Sequence, residues 1–243
     1  MNPMKIALIG YGKMGKTIET VAGQRGHTIV AHLNRSNPEA WSSPALQAAD
    51  IAIEFTGPES APFNLQQCFE RSLPVVCGST GWLSEYEHIT SLCKEKNGSL
   101  LYASNFSIGV NIFFALNKQL AKWMSTQASY EPLLEEIHHT QKKDAPSGTA
   151  ITLAEQIIQH QGIKKNWVNQ ETAAKDELPI ISKRIDDVPG THLVKYQSEI
   201  DTIELLHTAH SRVGFATGAV QAAEFLLGKK GVFSMSDMLG LDL

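Results

Sequence analysis

The sequence has few cysteines, and none is paired by spacing. Cys68, Cys77 and Cys93 are three in 243 residues, an odd number without a Cys-x-x-Cys motif, which argues against a disulfide framework and a cysteine zinc site. None of the nine histidines stands at His-x-x-x-His spacing, so no metal is expected. Charge of one sign is missing too. With 21 basic against 25 acidic residues the net charge is -4, which leaves no footprint for nucleic acid or an anionic membrane surface. Long apolar runs are absent, although 42% of residues are hydrophobic and 19% charged, the balance of a soluble globular chain. The stretch Met1 to Gly10 lacks the charged start, apolar core and cleavage site of a signal peptide, so a cytoplasmic location is expected.

What is present is alternation. Lys5 to Ile9 is an apolar run closed by glycine, and Met14, Ile18, Val21 and Ala22 then recur at helical spacing. Thr28 to Leu33 and Ile51 to Phe55 read as strands, as do Pro74 to Cys77 and Ser99 to Tyr102; Pro58 to Arg71 and Leu83 to Asn97 read as helices. Repeated β-α-β of this kind predicts a Rossmann-like parallel sheet with helices on both faces. After Asn105 the pattern changes. Helices over Val110 to Ser125 and Thr149 to Gln161 enclose a strand, and strands follow at Ile180 to Ile185, His192 to Gln197 and Thr202 to Thr208. Successive strands without helices between them predict a second, α+β domain with a mixed or antiparallel sheet. The expected division is residues 1–106 as a dinucleotide-binding domain, completed by a C-terminal helical segment 216–243, and 107–215 as a substrate-binding and oligomerisation domain. Gly162 to Glu177 is expected to be a surface loop.

Gly10-Tyr11-Gly12-Lys13-Met14-Gly15 matches the dinucleotide-binding pattern and sits between the first strand and first helix, where that pattern belongs. Its glycines allow a tight turn, close approach of backbone to a pyrophosphate, and packing of helix on strand, while the helix N-terminus offers N–H groups to the phosphates. Ile9 to Gly15 are therefore expected to bind a nicotinamide dinucleotide. At the end of the second strand, where a carboxylate would hold the adenosine ribose of NAD, stand Asn34 and Arg35. A guanidinium can pair with the 2'-phosphate of NADP, so NADPH is favoured and NADH stays open. Arg35 as a solvated surface charge is the alternative.

A second concentration of chemistry runs from Glu135 to Ala150, ahead of a helix. Ser147, Gly148 and Thr149 open that helix with a hydroxyl and free N–H groups, an anion site, and the nearby His138, His139, Lys142 and Lys143 add charge suited to a carboxylate-bearing substrate. His138-His139-x-x-Lys142-x-Asp144-Ala145-Pro146-Ser147-Gly148-Thr149-Ala150 resembles the long signature of the dihydrodipicolinate reductase family of lysine biosynthesis. Further matching segments are Phe55-Thr56-x-Pro58, Gly78 to Gly81, Ala103 to Asn111, and Ser211-Arg212-x-x-Phe215-Ala216-x-Gly218-Ala219.

The resemblance implies NAD(P)H-dependent reduction of a cyclic dicarboxylate, with His138 as the acid/base residue and Lys142 as proton donor. It implies that His139, Ser147, Gly148 and Thr149 hold the substrate, and that Gly78, Ser79, Thr80, Ala103, Ser104, Asn105 and Phe106 surround the nicotinamide half of the cofactor. It also implies a homotetramer. Asn34 departs from the family's common acidic residue, and the segment from Asn34 to Asp50 is too short for a full second crossover helix. Arg212 has two readings, a carboxylate ligand or a hinge support. A different nicotinamide enzyme, acting on an imine or semialdehyde, would keep the glycine turn without needing His138 to Ala150.

Overall fold

The computed structural model describes residues 2–34, 37–171, 174–211 and 213–241, so Arg35 and Arg212 lie outside the described residues. The chain divides into two compact units, Met1–Ile108 with Val213–Asp242, and Gly109–Arg212.

In the first unit β1 (Lys5–Ile9), α1 (Lys13–Gln24) and β2 (Thr28–Leu33) are followed by a 3-10 turn (Pro38–Ser42) and α2 (Pro44–Gln47). Then come β3 (Ile51–Glu54), α3 (Ala61–Glu70), β4 (Val75–Cys77), α4 (Tyr86–Glu95) and β5 (Ser99–Tyr102). In the second unit lie α5 (Ile108–Met124), β6 (Glu131–His138), α6 (Gly148–His160), β7 (Asn166–Val168), β8 (Glu177–Arg184), β9 (Gly190–Gln197) and β10 (Thr202–Ala209). The chain then returns to the first unit with α7 (Val213–Leu226), β11 (Gly231–Phe233) and α8 (Met235–Leu239).

The first sheet is parallel throughout, in the order β11-β5-β4-β3-β1-β2. Its central strands are apolar on both sides because both faces are covered. Ile6, Leu8, Ile51 and Ile53 point into a core with α1 and α7, whereas Ala7, Ile9, Ala52 and Val75 point into a second core with α3 and α4. All three cysteines are buried and free. The order reverses between β1 and β3, and in open sheets of this kind the crevice beyond the carboxyl ends at that reversal is where ligands bind.

Between β2 and β3 the described residues form only the 3-10 turn and the four-residue α2, in place of a full crossover helix, as the shortness of that segment predicts, and β2 lies at the sheet edge. Two expected helices are trimmed: the one over 58–71 starts at Ala61, and the one over 83–97 splits into a 3-10 turn (Leu83–Glu85) and α4. Two short strands escape the sequence reading. β7 lies inside the expected loop and pairs with β8, and β11 pairs with β5. Each has three residues, too few for a period to register.

The second sheet is mixed, in the order β10-β9-β6-β8-β7: β6 runs parallel to β8 and antiparallel to β9. One face packs Leu134, Leu178, Ile180, Val194 and Tyr196 against α5 and α6. Among the described residues no helix is long and apolar enough to cross a membrane.

Candidate active site

In the first unit the fingerprint glycines occupy three different environments. Gly10 has φ +95°, and a Cβ there would lie 2.2 Å from the Phe55 carbonyl oxygen, so the turn and its contact with the end of β3 both require glycine. At Gly15 a Cβ would lie 2.4 Å from the Gly10 carbonyl oxygen, which is the close packing of α1 on its own turn. Gly12 is different. No described atom lies within 4 Å of a Cβ there, and Gly12 caps α1 without a side-chain hydrogen bond. Bare backbone at a helix N-terminus beside empty space fits a pyrophosphate.

A cavity of about 1020 Å³ opens beside this turn at the switch point, lined by Gly10, Gly12, Leu33 and Asn34 and, further out, by Trp41 and Phe63. Asn34 donates its N–H to Asn37 Oδ1 at 2.8 Å, and no carboxylate stands at residue 34. Tyr11 donates its hydroxyl to Glu19, Lys13 is exposed, and Met14 packs on the core.

The loops after β4 and β5 stand at adjacent carboxyl ends of the sheet. A Cβ on Gly78 would come 2.2 Å from the Phe55 ring, and Ser79 accepts the Thr56 N–H on its hydroxyl oxygen at 2.8 Å. Asn105 Oδ1 accepts the Ser107 N–H at 2.8 Å. The Phe106 side chain is buried, 5.7 Å from the Phe55 ring, so that position offers a ligand backbone rather than ring.

In the second unit β6 ends at His138, leaving His139 in the following turn, where its carbonyl accepts the Lys142 N–H at 3.1 Å. The two histidines therefore do not alternate along one strand. Alternation does put Leu134, Glu136 and His138 on the helix-covered face. Strand register builds the rest: Ser182 pairs with Glu136 and Arg184 with His138 from β8, and His192 pairs with Glu136 from β9.

Glu136 is completely buried. Both its oxygens accept the Ser147 N–H at 3.1 Å, Ser182 donates its hydroxyl to Oε1 at 2.7 Å, and Arg184 Nη1 lies 3.7 Å from Oε1. Its other oxygen, Oε2, faces His138 Nδ1 at 3.5 Å and His192 Nε2 at 3.7 Å. Burial alone would raise the Glu136 carboxyl, but the hydrogen bonds from Ser147 and Ser182 and the adjacent His138 hold it below its ordinary value. Burial also lowers the His138 imidazole, against the pull of Glu136 and with Lys142 and Arg184 adding to the lowering. His192 is pushed down to about 4, by burial first and His138 next. Glu136, His138 and His192 are donor types that can hold a cation. Here, however, the carboxylate is already committed to an N–H, a hydroxyl and a guanidinium.

Lys142 is held by both oxygens of Asp144, at 2.9 and 2.8 Å, and Arg184 ties their loop down by donating to the Asp144 carbonyl at 2.7 Å. Ser147 caps α6, accepting the Ala150 N–H at 3.2 Å. No described atom lies within 4 Å of a Cβ at Gly148, and Thr149 is half-buried, so the first-turn N–H groups of α6 border open space. The structure thus brings His138, Lys142 and Ser147 to Thr149 together in one unit. It adds Glu136, Ser182, Arg184 and His192, which sequence reasoning missed. Only the alternation through Glu136 and His138 hinted at the first of these.

The comparisons agree over the whole chain. The model described as "Dihydrodipicolinate reductase, N-terminus" matches residues 4–106, and that described as "Dihydrodipicolinate reductase, C-terminus" matches 109–239. A 4-hydroxy-tetrahydrodipicolinate reductase of Christiangramia forsetii is 50% identical over 97% of this chain and 98% of its own. One of Bdellovibrio bacteriovorus is 37% identical over 98% and 97%. Among solved structures, a dipicolinate-bound dihydrodipicolinate reductase from Paenisporosarcina sp. TG-14 superposes with a TM-score of 0.78 at 22% identity, covering 96% of this chain and 98% of that one, which speaks to the fold. A glycine turn beside an open cavity and a histidine–lysine segment ahead of a helix thus occur in a chain matched at both halves, and it belongs to the dihydrodipicolinate reductase family.

Proposed function

We propose that this chain is the reductase its relatives' names describe, converting 4-hydroxy-tetrahydrodipicolinate to tetrahydrodipicolinate with a nicotinamide cofactor. The observation that carries the reading is the grouping of His138, Lys142 and the α6 N-terminus around one site in a member of this family. In this reading the first unit, with Ile9 to Gly15, takes the dinucleotide. Gly78 to Thr80 and Ala103 to Phe106 frame its nicotinamide half. The dihydronicotinamide, when bound, supplies the hydride.

The second unit takes the substrate. The N–H groups of Gly148 and Thr149, the Ser147 hydroxyl and His139 hold its carboxylates, and the positive end of α6 favours that charge. Lys142 donates the proton as negative charge builds on the substrate, and His138 serves as the acid/base group. A positioned acid of this kind contributes about 10² to 10⁴ in rate.

The test is oxidation of NADPH that depends on the product of the preceding synthase, together with rescue of a diaminopimelate auxotroph. No turnover and no rescue would remove the assignment.

We propose NADPH as the preferred cofactor, on the neutral Asn34 at the end of β2 and the cation that follows it in sequence. An NADPH preference unchanged in Arg35→Ala would refute this. A homotetramer is the proposed assembly, and the open face of the second sheet, with Leu206 64% exposed on β10, supports self-association through that unit. Light scattering checks the mass. Three buried free thiols fit a cytoplasmic setting.

A further inference from the structure

We infer that Glu136 and His192 are positioning residues for His138: the carboxylate holds the ring with Nδ1–H turned inward, leaving Nε2 as the atom that takes and gives the proton. The inference rests on the reading of His138 as the acid/base group.

A carboxylate only accepts hydrogen bonds, and Glu136 Oε2 faces two ring nitrogens, His138 Nδ1 at 3.5 Å and His192 Nε2 at 3.7 Å. A bare lone pair on either nitrogen would point at negative charge. Both nitrogens therefore carry the proton, which selects the Nδ1–H tautomer at His138 and the Nε2–H tautomer at His192. His138 Nδ1 makes no hydrogen bond to any other described residue, and Glu136 Oε2 at 3.5 Å is the acceptor that faces it. His192 Nε2 also lies 3.2 Å from the Ser147 hydroxyl oxygen, which lets it bridge the carboxylate and the cap of α6. The two rings meet edge to face with centroids 5.0 Å apart, so His192 also limits rotation of His138.

The other edge of His138 is left open by a small residue. A Cβ on Gly190 would lie 3.2 Å from His138 Nε2, so glycine at the start of β9 keeps that nitrogen clear.

The charged groups around His138 are Glu136 on its own strand, Arg184 from β8, Lys142 and Asp144 from the following loop, and His192 from β9 with His207 beyond it on β10. Burial first and His138 next push His192 down to about 4, so near neutral pH it does not compete as a cation. Glu136 is the anion nearest to the His138 ring, and its removal makes the imidazolium harder to form.

In the reaction the 4-hydroxyl takes the proton of His138 Nε2 and leaves as water while the ring gives up a proton to solvent; the hydride then brings two electrons to the ring, and Lys142 the proton that completes the reduction. His138 is left neutral, with its Nδ1–H still facing Glu136. Water then supplies the next proton at Nε2.

The experiment has two arms on the full chain. Long-range proton–nitrogen spectra of the imidazoles, recorded without substrate at about pH 8 where an ordinary histidine is neutral, are assigned with His138→Gln and His192→Asn. The expected result is Nδ1–H at His138 and Nε2–H at His192, with His138 reverting to the Nε2–H form in Glu136→Gln. An Nε2–H tautomer at His138 in the unmodified protein, or an unchanged one in Glu136→Gln, overturns the inference.

The second arm is the pH profile of kcat. Glu136→Gln is expected to lower kcat roughly 10- to 100-fold, with KM changed by less than about threefold, and to move the alkaline limb to lower pH. Ser182→Ala takes one donor from the carboxylate, makes it the stronger partner, and moves the limb the other way. Because Ser182→Ala is the milder change, it decides the matter even if Glu136→Gln does not fold. Limbs that coincide with the unmodified enzyme in both variants overturn the inference. If the unmodified protein does not turn over, the proposed function falls, while the tautomers still settle the role of Glu136.

Discussion

The three fingerprint glycines should respond to alanine in different ways, because only one of them faces empty space. Gly12 has φ -81° and ψ -159°, which alanine adopts readily, and no described atom lies within 4 Å of its Cβ position. Gly12→Ala should therefore fold with unchanged stability, or gain about 0.4–1 kcal/mol through the unfolded chain. Its methyl group instead occupies the space left for the pyrophosphate. Loss of one charge-assisted hydrogen bond is worth about 1.5–3 kcal/mol, or roughly 10- to 150-fold in Kd.

Gly15→Ala places a Cβ 2.4 Å from a backbone oxygen that cannot swing away, so α1 must shift. Overpacking of this kind costs about 1–3 kcal/mol, a fall in Tm of roughly 3–10 °C for a chain of this size. Gly10→Ala adds a positive φ to a 2.2 Å clash and should be worse still. Thermal melts without cofactor, set beside fluorescence titration with NADPH, separate the effects. If Gly12→Ala melted as low as Gly15→Ala, or bound NADPH as tightly as the unmodified chain, the division of roles would be refuted.

Replacing Lys142 by methionine keeps its stem, removes the ammonium that Asp144 holds, and should lower kcat about 10²- to 10⁴-fold; a loss under threefold argues against Lys142 as donor. His192 has its folded-state value depressed to about 4, so it contributes stability that is complete above the unfolded value near 6.5 and is lost as pH falls from there towards 4. The contribution is of order 3 kcal/mol, and unfolding curves at pH 7.5 and 4.5 should differ less in His192→Asn than in the unmodified protein. Glu224 accepts from Arg25 Nε and Nη2 at 2.8 and 2.7 Å and from His27 at 2.8 Å, joining α7 to the turn between α1 and β2. Glu224→Ala should cost about 1–3 kcal/mol, read as a lower urea midpoint with NADPH affinity retained.

Much of this molecule was legible because its signals are local. A strand, a glycine turn and a helix within twenty residues declare themselves by period and by residue type, and so do the hydroxyl and glycine that open α6. The short strands β7 and β11 were not legible, because three residues at a sheet edge carry no period and owe their conformation to the partner strand.

His138 and Lys142 could be named from the sequence, but the apparatus around them could not. Glu136, Ser182, Arg184 and His192 are spread over 57 positions of chain and become neighbours only through the registers of β6 with β8 and β9. A shift of one residue in either register would turn each set of side chains to the opposite face and dissolve the cluster. Local pattern sets which residue types are available and where the helices and long strands form. That a buried carboxylate faces two imidazoles follows from strand register, which is fixed by packing of the whole sheet against α5 and α6 and leaves no mark on any one segment.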